Sequence, residues 1–126
     1  MKTPMTHVAR CVGITLILAG AGPAGAFTTQ EFLALCGDAK ETCASRPAVQ
    51  FYLGGALDAL AVVNDAAKEQ DQPIYCVPEQ ALFDMGKIVA HVVSVSRRFE
   101  NKNAMTGVID YLRTYGGCRP AQRPQG

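Results

Sequence analysis

The sequence predicts an all-α protein: a compact, four-helix, bundle-like single domain held by two disulfides. Three observations point there. Apolar residues recur at helical rather than alternating spacing, four cysteines remain once an export leader is set aside, and no hairpin dipeptide or internal repeat interrupts the pattern.

The chain opens with Met1, Lys2 and Arg10, runs through an apolar stretch from Cys11 to Ala19, and reaches Ala24-Gly25-Ala26. A basic start, an apolar run and a small-x-small exit form a secretory signal, and the run is too short to span a bilayer. Residues 1–26 are expected to be cleaved before Phe27. Val8-Ala9-Arg10 is not a lipobox, so Cys11 carries no lipid in this reading. The mature chain, Phe27 to Gly126, is 100 residues, enough for one modest core and too few for two domains. The helical domain is expected over 27–118. The tail 119–126, rich in proline and glutamine, is expected to be disordered.

The first helix is predicted over Thr29–Cys36. Thr28 and Glu31 have capping-box spacing, Gly37 can end the helix in a left-handed conformation, and Phe32, Leu33 and Leu35 supply a buried side. Residues 37–44 read as a polar connection. Ser45 is expected to cap a longer second helix with Pro47 in its first turn. Its apolar positions recur at Val49, Tyr52, Leu53, Ala56, Leu57, Leu60, Val63 and Ala67. Gly54 and Gly55 weaken such a helix by roughly 1 kcal/mol each, so a neighbouring helix is expected to approach them closely.

The stretch from Lys68 to Pro73 reads as an exposed loop. Pro78 starts a third helix with a stripe of Ala81, Met85, Ile88, Val89, Val92 and Val95, widened by Leu82 and Val93. Arg97 and Arg98 near its end suit the negative end of the helix dipole. Residues 101–103 read as a break. Asn103 then caps a fourth helix carrying Met105, Val108, Ile109, Leu112 and Tyr115, which Gly116-Gly117 stops.

Removing Cys11 with the leader leaves Cys36, Cys43, Cys76 and Cys118. An even count in an exported chain reads as two disulfides, and four cysteines admit three connectivities that sequence alone leaves open. Antiparallel helix packing favours Cys36–Cys43 and Cys76–Cys118, because each pair sits at neighbouring helix ends. Zinc is disfavoured, since there is no Cys-x-x-Cys pair and the mature chain has a single histidine, His91. No metal or cofactor is expected.

Removing Lys2 and Arg10 leaves 10 basic against 11 acidic residues, one net negative charge. No field remains to attract nucleic acid or an anionic membrane surface. A protein partner is expected instead. Nucleophilic catalysis needs a base, and the one candidate, His91, lies beside the apolar stripe and reads as a partly exposed structural histidine. Asp58, Asp65 and Asp84 read as solvated helix faces rather than a glycosidase pair. Gly54-Gly55 has no strand before it and is not a phosphate loop. No catalytic residue is expected.

Three passages resemble a known family. They are Phe27-Thr28-Thr29-Gln30-Glu31-Phe32-Leu33-Ala34-Leu35-Cys36, then Phe51-Tyr52-Leu53-Gly54-Gly55-Ala56-Leu57-Asp58-Ala59, then Tyr75-Cys76-Val77-Pro78, with Cys118 as the closing cysteine. Together they resemble the Rap/Tai family of small periplasmic immunity proteins, which neutralise peptidoglycan amidase effectors of type VI secretion. The chain departs from the family at Val49-Gln50, where relatives often carry a cysteine, and at Gly116-Gly117, where they tend to have an aromatic and a proline. The resemblance implies an all-helical, frequently dimeric periplasmic protein that blocks an amidase cleft with an exposed element.

Two elements are expected to make that contact: the charged loop with Glu69 and Asp71, and the turn with Arg97, Arg98, Phe99 and Lys102. A second reading is a small periplasmic acid-stress chaperone of helical fold, exposing apolar surface when carboxylates are protonated. A third is an uncharacterised periplasmic assembly protein.

Overall fold

A computed structural model describes residues 26–119. All but the edge residues of the expected leader and tail lie outside that range. Among the described residues the protein is helical with no strand, and one isolated antiparallel bridge joins Thr28 to Asn103.

Helix α1 spans Thr29–Cys36, and its start is the predicted capping box. The Thr28 hydroxyl accepts from the Glu31 backbone N–H at 3.2 Å, while the Glu31 carboxylate accepts from the Thr28 N–H at 2.7 Å. Gly37 ends the helix at φ 62°, ψ −151°. That conformation is open to glycine, but it is not the left-handed helical one expected. The next residues are also more ordered than the expected connection: Lys40–Ser45 forms a 3₁₀ turn that carries Cys43 into the core.

Helix α2 spans Pro47–Lys68 with proline in its first turn, as predicted. Ser45 does not cap it. As the last residue of the 3₁₀ turn, Ser45 donates its hydroxyl back to the Thr42 carbonyl at 2.7 Å, and the start of α2 has no side-chain cap. The buried line is Val49, Leu53, Leu57 and Asn64. Val63, placed on the stripe by sequence, is 53% exposed. At 100° per residue it stands about a quarter turn from that line. Gly54 and Gly55 also depart from expectation, because among the described residues nothing lies within 4 Å of a Cβ built on either. The close helix approach is elsewhere, at Gly107, whose added Cβ would sit 3.3 Å from Val92 Cγ2.

The predicted third helix is two: α3, Glu79–Leu82, and α4, Met85–Val95. The break lies at Phe83 and Asp84. Asp84 accepts from the Lys87 N–H at 2.9 Å, and this local cap competes with continuation of the preceding turn. The break lets Leu82 enter the core and Phe83 meet the ring of Tyr75 edge-on at 5.5 Å, whereas Ala81 is left exposed. Helix α5 spans Met105–Tyr115. Ala104 is its cap residue and makes no side-chain cap bond, but Asn103 one residue earlier supports the same end, its side-chain oxygen accepting from Met105 N–H at 2.9 Å, and Gly116 with Gly117 at φ 70° ends the helix. Among the described residues the fold is thus five α-helices and a 3₁₀ turn.

Phe32, Leu53, Tyr75, Ile88, Val92, Val108 and Leu112 form one continuous core. Burying each such large side chain stabilises by about 1.5–3 kcal/mol. The disulfides pair Cys36 with Cys43 and Cys76 with Cys118, Cα atoms 4.6 and 5.0 Å apart, matching the pairing favoured by helix ends. Disulfides are bonds of an oxidising compartment. Among the described residues no helix is long and apolar enough to cross a membrane.

Candidate functional site

The six residues expected to make partner contacts fall into two groups that the fold keeps apart. Glu69 caps the C-terminal end of α2, and Asp71 follows in a tight turn at φ 57°, a conformation that aspartate tolerates better than most residues. The turn is fastened by Gln72 N–H donating to the Ala67 carbonyl at 2.9 Å. It borders a shallow depression with Lys68, Arg113 and the Cys76–Cys118 bridge. Arg97, Arg98, Phe99 and Lys102 lie at the far end of α5, one helix length or about 16 Å away.

The turn from Ser96 to Asn103 joins α4 to α5 and is tied to the N-terminal segment on both sides. Thr29 N–H donates to the Lys102 carbonyl at 2.9 Å, Ala104 N–H to the Phe27 carbonyl at 2.9 Å, and the Gln30 side-chain amide to Glu100 at 2.7 Å. Arg98 lies over the Phe99 ring at 4.4 Å and donates to Asp110 at 2.7 Å. A guanidinium on an aromatic face is an attractive contact worth about 0.5–1 kcal/mol at an exposed site. Phe99 is half-buried and is not among the side chains packed on the core. The Arg97 and Lys102 side chains are exposed.

Asp110 was not singled out by sequence, yet it links this turn to His91. Its second oxygen lies 2.8 Å from His91 Nε2. The imidazole also contacts the rings of Tyr111 and Tyr115 at 5.6 and 5.7 Å and is partly buried. No sequence spacing announces this cluster, because it forms across the α4–α5 hairpin. An open groove of about 590 Å³ lies beside it, lined by Val77, Lys87, Ala90, His91 and Tyr115 among others. Ser94, which also lines that groove, donates its hydroxyl to the His91 carbonyl at 2.7 Å, a contact that holds it against its own helix. Tyr111 donates to the Leu82 carbonyl at 3.1 Å, and burial, with Asp84 and Tyr115 nearby, raises its phenol above the usual range.

A second residue that sequence reasoning missed is Asn64, fully buried in the last third of α2. Its side-chain oxygen accepts from Ile74 and Tyr75 N–H at 2.7 and 3.1 Å, and its amide donates to the Tyr75 carbonyl at 3.1 Å. One side chain thereby satisfies the backbone of the segment leading to Cys76. Its signal was a polar residue seven positions after Leu57, on the apolar line. Among the described residues no three His, Cys, Asp or Glu side chains gather as metal ligands would.

The arrangement is a braced helical scaffold offering a rigid turn at one end and a groove along its α4–α5 face. Comparison with known proteins finds no matching family model, curated relative or solved structure.

Proposed function

We propose that this chain is an exported periplasmic binding protein that neutralises a peptidoglycan amidase by seating an exposed element in the amidase's cleft. The observation that supports this reading is the tied turn from Ser96 to Asn103. A binding loop that is already ordered loses little conformational freedom on association, and this one is fixed before any partner arrives. Phe99 offers a half-exposed aromatic beside the cations Arg97 and Lys102, the residue types that anchor interfaces. The sequence resemblance to Rap/Tai immunity proteins supplies the class of partner. The Glu69–Asp71 turn lies at the other end of α5 and is no part of the same contact unless the partner spans both ends.

The test is an inhibition assay with a peptidoglycan amidase recovered from the periplasm with the exported protein. Saturating protein is expected to abolish hydrolysis, and the Phe99→Ala, Arg97→Glu double variant to raise the concentration needed at least tenfold, about 1.4 kcal/mol or more. A recovered amidase that keeps full activity at saturation means the reading is wrong.

A further inference from the structure

We propose that the groove bounded by α3, α4 and the end of α5 binds a small molecule made of a flat aromatic body and one carboxylate. The groove exists because the apolar stripe that sequence reads as one helix breaks at Phe83–Asp84. Leu82 turns inward and makes a floor with Tyr111 and Val77, whereas the small residues Ala81 and Ala90 stay exposed and leave a trough above it. Its volume of about 590 Å³ lies within the roughly 300–1,000 Å³ of small-molecule sites.

The aromatic half of the ligand follows from three rings that line the groove. His91, Tyr111 and Tyr115 form a triangle with centroids 5.0, 5.6 and 5.7 Å apart. Two of them are fixed from behind, Tyr111 by its bond to the Leu82 carbonyl and His91 by Asp110. Tyr115 is 57% exposed, so the cluster has room for a further ring. Rings pack edge-to-face or offset at centroid distances of about 4.5–7 Å, and a planar ligand in the trough completes that packing.

The carboxylate follows from Lys87. No acid lines the groove, and its other buried or bonded polar groups are spoken for: Tyr111 by Leu82, Ser94 by the His91 carbonyl, His91 by Asp110. Lys87 makes no ion pair among the described residues, and it sits in the first turn of α4, where the positive end of the helix disfavours a cation. The helix gains nothing from it; an anion in the groove does. The groove runs from Lys87 to Ser94, about 10 Å along α4, between helices whose backbone groups are already paired. It therefore offers an extended peptide no main-chain partners, which favours a free small molecule. It uses no residue of the Ser96–Asn103 turn, so it stands or falls separately from amidase binding.

The test is a titration of the exported protein, followed by two-dimensional amide NMR, with three probes that share one ring: indole-3-acetate, indole-3-acetamide and tryptamine, which are negative, neutral and positive. Indole-3-acetate is expected to bind saturably with a Kd of about 1 mM or below, shifting the amides of Ala81, Lys87, Ala90 and His91. It should bind at least about tenfold more tightly than the acetamide, with tryptamine weaker still. Lys87→Met, at an exposed position, is expected to bring indole-3-acetate down to the affinity of the acetamide and to leave the acetamide unchanged. Ala90→Phe, also exposed, fills the trough and should abolish binding of both with the helical circular dichroism unchanged. No saturable shift by about 10 mM overturns the proposal, whether the groove stands empty or another occupant holds it. Acetamide or tryptamine binding as tightly as indole-3-acetate overturns the choice of a carboxylate, as does a Lys87→Met variant that binds like the original. Shifts centred away from the groove overturn the site.

Discussion

The two ends of α2 are fastened by the same kind of bond in opposite ways. At the N-terminal end Cys36 and Cys43, seven residues apart, are both fully buried, and their bridge is part of the core against which Phe32 and Val49 pack. At the C-terminal end Cys76 is exposed, Cys118 is half-buried, and their bridge spans 42 residues. There the backbone is positioned by hydrogen bonds: Asn64 holds residues 74 and 75, and the Gly116 carbonyl accepts from Cys76 and Val77 N–H at 2.8 and 2.9 Å. One disulfide is packing material; the other is a tether over a polar joint. Chemical identity in the sequence therefore says little about what a disulfide does, whereas its loop length and surroundings say a good deal.

Removing the tether is the largest expected effect. On the chain-entropy view the Cys76→Ala, Cys118→Ala pair is expected to lower unfolding free energy by about 4 kcal/mol, against about 2.5 kcal/mol from entropy for Cys36→Ala with Cys43→Ala. Urea unfolding measures both. The sharper comparison is kinetic. Mild reductant without denaturant should open the exposed Cys76–Cys118 bond first and reach Cys36–Cys43 only on unfolding, as mass spectrometry of alkylated protein would record. Equal rates would mean that the ends are not different in the way described.

The joint comes next. Asn64→Ala strips partners from the Ile74 and Tyr75 N–H groups and the Tyr75 carbonyl in a buried place. Each buried group left unpaired costs about 1–3 kcal/mol, and with some rescue by water a loss of about 3 kcal/mol is expected. The variant should also speed reduction of Cys76–Cys118 while leaving Cys36–Cys43 untouched. If both bonds respond alike, Asn64 supports the whole core rather than this end.

Glycines probe the same contrast with opposite signs. A Cβ on Gly116 would lie 2.6 Å from Tyr75 Cβ and 2.9 Å from Tyr75 Cα, so Gly116→Ala must push the joint apart and is expected to cost about 2 kcal/mol. Gly54→Ala meets open space in a helix interior and should stabilise by about 0.5–1 kcal/mol. Thermal unfolding of the two variants should move in opposite directions.

Signals confined to a few neighbouring residues were legible in the sequence. The Thr28–Glu31 box, Pro47 and Gly116-Gly117 set helix ends where expected, since caps and stops act within one turn. The disulfide pairing followed from which helix ends they bring together. What was lost depends on contacts across the chain. The break at Phe83–Asp84 pits a local cap against an apolar stripe, and the stripe alone hid it. Asn64 reads as an ordinary polar residue until residues 74 and 75 fold against it. The candidate turn was legible as exposed and charged, but not as tied, because its ties run to Phe27, Thr29 and Gln30 some 70 residues earlier.

The smallest effect belongs to the start of α1, which lies outside both disulfide ends. The Glu31 carboxyl is held below its usual range, chiefly by the Thr28 backbone N–H and then by the Thr28 hydroxyl. A depressed carboxyl stabilises the fold at pH values above its unfolded titration, near pH 4.3, and that contribution disappears as pH falls through the lower folded value. Glu31→Gln keeps an acceptor but loses the charge that favours the helix start. Melting temperatures of the two proteins should therefore differ slightly at pH 7 and converge in acid, once pH has fallen through the lowered folded value and the native carboxyl is protonated as well. A gap that persists unchanged in acid would mean that Glu31 acts by shape rather than by charge, and that the capping box orders α1 without any electrostatic share.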